Sequence, residues 1–259
     1  MTETNKNVKL LQIPGVASLM WVVALGIGSF SILLPLSPDW AIRGGASEAA
    51  AGSVTAILMA FTILTQLSVN RALKRFGWGP LLATGLLALG APAILQAASS
   101  ALSVILLSSA IRGIGFGILT VSGATAIALL VPPARRGAAV GIYGQAVAGP
   151  QLVLVSSAPI LEQHMGKLVV TLIATLPVLG LFWTQALGRL LNARSTQQQT
   201  SAMHADTHNK STFAVISPVL LSLVIVTSSG GAILTFASQI TADASSVVGE
   251  RFQPLKLEG

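Results

Sequence analysis

The chain has 259 residues, of which 53% are hydrophobic and only 9% are charged, and its mean hydropathy is +0.77. A soluble globular domain carries about 25% charged residues, so this composition excludes a soluble enzyme and a disordered tail, which both need more polar surface. The net charge of +7 does not indicate nucleic acid binding, because the cations are scattered between long uncharged runs, and the absence of cysteine excludes disulfides and thiolate metal sites.

Seven apolar runs follow one another along the chain. Each is long enough for a helix to cross the hydrocarbon of a bilayer, which takes ~20 residues for ~30 Å. Backbone groups in lipid must be hydrogen-bonded within their own segment, and the alternation of a membrane β-barrel is missing, so helices are predicted. The runs cover residues 15–38, 47–69, 77–98, 102–131, 137–161, 168–191 and 213–240.

These runs define a domain organisation. The first is interpreted as an uncleaved helix rather than a secretory signal, whose apolar core is only about 7–15 residues long. A polar segment rich in Gln, Ser and Thr separates the sixth run from the seventh and is predicted to be a flexible cytoplasmic linker. The predicted order is a cytoplasmic tail (1–14), a six-helix bundle (15–192), the linker (193–212), a seventh transmembrane helix (213–240) and a polar tail (241–259).

The distribution of Lys and Arg predicts the orientation. With the N-terminus in the cytoplasm, ten cations fall on the cytoplasmic side and four on the outer side, so we predict a multi-pass protein of the cell (inner) membrane with a cytoplasmic N-terminus. The ten are Lys6, Lys9, Arg71, Lys74, Arg75, Arg135, Arg136, Arg189, Arg194 and Lys210; the four are Arg43, Lys167, Arg251 and Lys256.

Arg112 carries the one formal charge within the apolar core of a predicted span, since Glu48 and Arg189 lie at the ends of theirs. A charged side chain near the bilayer centre costs at least ~2.5–3.5 kcal/mol, so Arg112 is expected to face the bundle interior or a water-filled cavity. Two interpretations remain open: a role in transport or its coupling, and simple bracing of neighbouring helices. Ser109, on the same helical face, and Trp21, Tyr143 and Gln145 are further cavity candidates, although such groups also serve as interhelical hydrogen bonds.

Glycine and proline patterns predict local packing. Gly113 and Gly117 form a small-xxx-small pair that allows another helix to approach closely, and Gly137 and Gly141 repeat this spacing. Pro150, which follows Gly149, removes a backbone hydrogen bond and predicts a bend. Bends are also expected at Pro35, Pro38 and Pro177.

No site for metal, cofactor or enzymatic chemistry is predicted. His204, Asp206 and His208 superficially resemble a ligand cluster, but they lie in the predicted linker, where nothing fixes them. The HExxH and GxSxG signatures are missing, so we predict no enzyme and no cofactor. No acidic residue or histidine lies well inside a span, so a membrane-embedded proton relay is not visible.

Three stretches resemble the major facilitator superfamily, in particular its drug and sugar efflux members of the arabinose-efflux-permease type. They are LKRFGWGPLL (73–82), RGIGFG (112–117) with VPPARRG (131–137), and the segment from GIYG to GP (141–150). The resemblance implies an all-α membrane fold, here the N-terminal six-helix half plus a seventh helix. It also implies secondary transport of a small organic solute across the lipid bilayer. In this type the direction is export, with exchange for protons as one option.

The resemblance also assigns residues. Arg112 matches an arginine linked to proton coupling. Lys74, Arg75 and Gly77 match a cytoplasmic motif that latches the two halves, although Lys74 replaces its acidic residue and Asn70 its leading glycine. Gly141, Gly149 and Pro150 match the bend of the antiporter motif.

Family members have twelve helices, so the resemblance also implies a truncated chain that lacks the C-terminal half. The alternative function is therefore a fragment that inserts into the membrane without transporting and acts at most as an interaction partner.

Overall fold

The structure is a computed structural model that describes residues 10–205, and all of its elements are helical. The predicted seventh span and the C-terminal tail lie outside these residues. Up to Ser201 the helices belong to one compact unit. They are α1 (Val16–Arg43), α2 (Glu48–Phe76), α3 (Trp78–Gly90), α4 (Ala93–Ala98), α5 (Leu102–Leu130), α6 (Arg136–Ala174) and α7 (Leu181–Ala205), with 3-10 turns at Leu10–Gln12, Pro133–Arg135 and Leu176–Gly180.

The apolar helices have the length for six membrane crossings. α1, α2, the α3–α4 pair and α5 are each long enough for one, and the apolar segment Pro133–Gln197, with 65 residues at ~1.5 Å per residue, is long enough for two. Its direction reverses near Gly166, which has non-helical angles of φ 80° and ψ 159°. The prediction of an all-α fold built from apolar helices of membrane length is confirmed.

The hydrophobic core has two large clusters, one towards each end of the bundle. The first cluster contains Val16, Trp78, Leu130 and Leu187. The second cluster contains Trp40, near the C-terminal end of α1. Cations surround the first cluster, which we call the basic end; they are Arg71, Lys74, Arg75, Arg135, Arg136, Arg189 and Arg194. At the opposite end lie all three acidic residues found between positions 10 and 205, namely Asp39, Glu48 and Glu162.

The connection between α2 and α3 corrects one expectation. The second apolar run ends at residue 69, but α2 continues to Phe76, so Asn70, Lys74 and Arg75 lie on its last two turns and not in a connecting loop. A single residue, Gly77, then reverses the chain with φ 79°, a conformation that only glycine adopts easily.

Prolines interrupt some helices and not others. α1 continues through Pro35 and Pro38, and α6 continues through Pro150, where a bend remains a prediction. The chain changes to a 3-10 turn at Pro177. An interruption that the sequence analysis missed separates α3 from α4 at Pro92.

The segment predicted as a flexible linker is helical in its first part. α7 continues to Ala205, so residues 193–205 extend the sixth crossing instead of forming an irregular connection. Its physical reason is composition, since this stretch contains neither glycine nor proline and includes the good helix formers Ala, Gln, Arg and Met. That this segment joins two membrane units remains a prediction.

Glycines bring α5 close to two neighbours. A Cβ added at Gly117 would lie 2.7 Å from the Thr62 carbonyl oxygen of α2, and one at Gly115 would lie 2.6 Å from the Gly85 carbonyl oxygen of α3. The Thr62 hydroxyl also donates to the Gly113 carbonyl at 3.1 Å. The predicted close approach at Gly113 and Gly117 is therefore confirmed, and α2 is the partner helix.

The same prediction for α6 finds no partner within the described structure. Apart from the backbone of α6 itself, no atom of residues 10–205 lies within 4 Å of a Cβ built on Gly137, Gly141 or Gly144. The spacing of small residues permits close packing but does not supply a partner, and this face of α6 has none among the six crossings.

This contrast predicts opposite effects of the same substitution. Gly117→Ala should lower the free energy of unfolding by ~1–3 kcal/mol, because its methyl group meets backbone that cannot move independently. The matched control Gly144→Ala should be neutral or stabilising by up to ~1 kcal/mol, since it only removes glycine's entropy in a helix. Unfolding midpoints of the detergent-solubilised full chain measure both. Equal effects would contradict the α2–α5 packing.

Candidate functional site

The candidate site is centred on Arg112 of α5. Its side chain is fully buried, and its Nη2 donates to the main-chain oxygens of Ser29 at 3.1 Å and Phe30 at 3.5 Å, both on α1. The guanidinium therefore faces the bundle interior, as predicted from its cost in lipid. The contacts also fix α1 against α5, so part of the bracing role is visible in the geometry.

Arg112 keeps donors that bracing does not use. Its Nε and Nη1 are buried and have no hydrogen-bond partner among the described residues, and the same holds for the Ser109 hydroxyl. Ser109 lies three residues earlier on α5, on the same helical face. Leaving a buried polar group unsatisfied costs about 1–3 kcal/mol, and more for a charged one. The site therefore presents a cation and a hydroxyl suited to an acceptor-bearing group.

An aromatic pair borders this site on the side of the basic end. The rings of Phe30 and Phe116 stack with their centroids 3.8 Å apart and their planes at 11°. Phe30 supplies its main-chain oxygen to Arg112, and Phe116 lies one helical turn after Arg112 on α5. The site thus combines fixed donors with an apolar aromatic wall, the usual composition of a small-molecule site.

Tyr143 lies closer to the basic end than Arg112 does. Its hydroxyl donates to the Thr120 main-chain oxygen at 3.5 Å, and Gln66 donates to the Thr120 side chain at 3.1 Å. Thr120 is eight residues beyond Arg112 on α5, which corresponds to about 12 Å along the helix. Tyr143 therefore belongs to a second polar layer and does not reach Arg112 directly.

Trp21 and Gln145 are brought together elsewhere. They line a cavity of about 390 Å³ between α1 and α6, and the Trp21 side chain is 62% exposed. Trp21 is eight residues before Ser29 on α1, again about 12 Å along the helix from the contact with Arg112. Of the five candidate cavity residues, Arg112 and Ser109 lie at one site, Trp21 and Gln145 lie together at another, and Tyr143 lies in neither.

The residues of the conformational motifs lie apart from Arg112. Asn70, Lys74 and Arg75 are exposed at the basic end, and Gly77 is closed off by α7, since the adjacent Trp78 N–H donates to Asn192 Oδ1 at 3.3 Å. The remaining members, Gly141, Gly149 and Pro150, lie on α6, where both glycines are exposed.

A cluster of charges at the opposite end was missed by the sequence analysis. Glu162 accepts from Trp40 Nε1 at 2.7 Å and from Arg43 Nη2 at 2.6 Å, and Arg43 also pairs with Asp39. Lys167 lies 4.9 Å from the centre of a Trp40 ring. Glu162 is only 8% exposed, so this carboxylate ties the end of α1 to α6 in a shielded position.

The signal for this cluster in the sequence was weak. Glu162 directly follows the fifth apolar run, where an acidic residue usually reaches solvent, and its partners are 119 and 122 residues away. Hydropathy reports the end of the run but not such a distant pairing. Between residues 10 and 205 no group of His, Cys, Asp and Glu side chains is arranged to hold a metal, and Asp206 and His208 lie outside that range.

Comparison with known proteins shows the fold. The sequence matches no protein-family model and no curated protein. The structure is similar to the crystal structure of the human organic anion transporter MFSD10 (TETRAN), with a TM-score of 0.54 and 22% identity over 65% of this chain and 47% of that one. The chain thus spans about half the length of this neighbour. Its helices are arranged as part of a major facilitator fold, which confirms the fold implied by the sequence motifs.

The Glu162 cluster predicts a specific loss of stability. Glu162→Ala should lower the free energy of unfolding by about 1–3 kcal/mol, because it leaves the buried Trp40 N–H without its acceptor. Glu48→Ala is the control, since Glu48 is exposed in the first turn of α2, where an acidic side chain contributes only about 0.3–1 kcal/mol. Thermal unfolding followed by tryptophan fluorescence compares the two. A smaller loss for Glu162→Ala than for Glu48→Ala would contradict this role of Glu162.

Proposed function

We propose that this chain, which has part of the major facilitator fold, acts in secondary transport of a small organic solute across a membrane. The observation that carries the proposal is the Arg112 site, where a fully buried guanidinium retains two unpartnered donor nitrogens between membrane-length helices. A purely structural arginine would be expected to satisfy all of its donors. Ionisable residues within membrane bundles characteristically mark solute or ion pathways.

The chemistry of the site favours a solute with hydrogen-bond acceptors and a hydrophobic body. The free nitrogens of Arg112 can only donate, the free Ser109 hydroxyl can donate as well, and the stacked Phe30 and Phe116 rings offer an apolar wall. A carboxylate or sulfonate on an aromatic or aliphatic body has this combination, and its charge would offset that of the guanidinium. The neighbour MFSD10 is described as an organic anion transporter, and an organic anion has the negative charge that we propose for the solute of this chain.

The sequence resemblance suggests a more specific mode of transport. Efflux of drugs or sugars, with antiport against protons, is the mode that the resemblance implies, and sugars too carry oxygen acceptors. Among residues 10–205 the hydrogen bonds of Arg112 go to main-chain oxygens, not to a carboxylate or imidazole. The surroundings of Arg112 therefore give no support to proton exchange, whereas they do support the binding of a solute.

The charge distribution supports a definite orientation. We assign the basic end to the cytoplasmic side of a cell (inner) membrane, with a cytoplasmic N-terminus. Seven cations lie at this end, whereas the three acidic residues between positions 10 and 205 lie at the other. Retention of Lys and Arg on the cytoplasmic side would produce this asymmetry.

Transport by the full chain in liposomes tests the role of Arg112. Saturable flux is expected for at least one member of a panel of fluorescein, ethidium and a labelled methyl glucoside, with fluorescein preferred. Arg112→Ala should abolish this flux, and Arg112→Lys should reduce it at least about tenfold, because an ammonium cannot reproduce the geometry of a guanidinium.

The control for this experiment is Thr125→Val, an exposed position on the same helix. It should transport at the wild-type rate. Absence of saturable flux for the whole panel with the wild-type chain would contradict the transport proposal. Normal flux by Arg112→Ala would reduce Arg112 to a bracing residue.

Single cysteines test the orientation, because the chain has no cysteine of its own. Gln163→Cys places a thiol at the exposed end that carries the acidic residues, and Ala134→Cys places one at the basic end. A membrane-impermeant maleimide should label Gln163→Cys in intact cells and Ala134→Cys only after lysis. The reverse pattern would invert the proposed topology.

A further inference from the structure

An apolar groove runs along the outside of the bundle between α2, α3 and α5. It has a volume of about 620 Å³, and its floor is formed by the buried side chains of Val69, Leu81 and Ile118. Exposed aromatic residues stand at its two ends along α2, Phe61 in the middle of the helix and Phe76 at its C-terminal end. Their separation of 15 positions corresponds to about 22 Å along the helix, more than the ~15 Å depth of one hydrocarbon leaflet.

The groove opens beside cations at the basic end. The guanidinium carbon of Arg75 lies 5.3 Å from the centre of the Phe76 ring, which itself lines the groove. Arg71 lies one turn earlier on the same face of α2, and both side chains are exposed. Both ion pairs found between residues 10 and 205 involve Arg43 at the far end, so neither Arg71 nor Arg75 is paired with an acidic side chain there.

We propose that this groove binds an anionic phospholipid, with one acyl chain along α2 between Phe61 and Phe76 and the phosphate at Arg71 and Arg75. A free anion would use the arginines alone, and an uncharged lipid would use the groove alone. The two features adjoin through the Arg75–Phe76 contact, and an anionic phospholipid has the apolar chain and the negative headgroup in the matching order. Basic residues at a membrane surface characteristically recruit such lipids.

This inference is independent of the transported solute. It requires only that the basic end lies at a membrane surface. A bound chain would contact the outer faces of α2, α3 and α5, the three helices that the α5 glycines hold together. The lipid would therefore act as an additional packing element on the helix that carries Arg112.

Native mass spectrometry of the detergent-purified full chain tests the proposal. Phosphatidylglycerol and phosphatidylcholine with identical acyl chains are added at equal concentration, with glycerol 3-phosphate as the anion without chains. We expect about tenfold more retained phosphatidylglycerol than phosphatidylcholine and no retained glycerol 3-phosphate. Retention of glycerol 3-phosphate as strong as that of phosphatidylglycerol would overturn the proposal, because the site would then recognise only an anion.

Matched variants locate the bound lipid. The double variant Arg71→Gln/Arg75→Gln should lose the preference for phosphatidylglycerol, whereas Arg189→Gln/Arg194→Gln, with two exposed cations at the same end but on α7, should keep it. Ser68→Trp, which fills the groove, should release both lipids, and Leu67→Trp, on an exposed position outside the groove lining, should not.

Two results would overturn the assignment to this groove. One is equal loss of preference in both arginine pairs, which would mean that the basic end attracts lipid only through its general charge. The other is that Ser68→Trp retains as much lipid as the wild-type chain but unfolds at a lower temperature. This result would mean that part of the protein, and not lipid, occupies the groove. Unfolding curves recorded for every variant distinguish loss of lipid from loss of fold.

Discussion

The bundle depends on how it accommodates a buried guanidinium within an apolar membrane fold. Arg112 donates to two main-chain oxygens of α1, and these contacts place α5 against α1 in the interior. Glycines on other faces of α5 let α2 and α3 approach until backbone meets backbone. The charge is thereby enclosed by three neighbouring helices rather than exposed to lipid, where its cost would be several kcal/mol. Burial of Arg112 and close glycine packing are two aspects of one arrangement.

Features set by a single helix and the bilayer could be predicted from the sequence. Hydropathy located the crossings because length and apolarity decide insertion, and the cost of a charge in lipid predicted the inward direction of Arg112. Properties that need a partner were less accessible. The glycine spacing of α5 correctly predicted a closely packed neighbouring helix, which is α2. The same spacing at Gly137 and Gly141 has no neighbouring helix within 4 Å among residues 10–205. The end of α2 was misplaced because one residue, Gly77, suffices for the turn.

The site itself was predicted in part for the same reason. Arg112 and Ser109 share a helical face, so spacing alone associates them. Trp21 and Gln145 belong to α1 and α6 and meet in a separate cavity, and Tyr143 packs on α5 nearer the basic end. Which polar side chains converge depends on how helices cross, and hydropathy does not contain that information. The fold comparison supplies the helix arrangement, whereas the individual donors of the site come from this chain's own residues.

The contact between Trp40 and Glu162 joins positions 122 residues apart, and this separation has a consequence for biogenesis. At a synthesis rate of ~5–20 residues per second, the ribosome needs roughly 6–24 s to reach Glu162 after it has made Trp40. During that interval the end of α1 waits in the membrane without its acceptor, while α2 and α5, whose contacts are closer in sequence, can already associate. The Trp40 end of the first helix is thus secured later than its middle, which Arg112 of α5 can already hold.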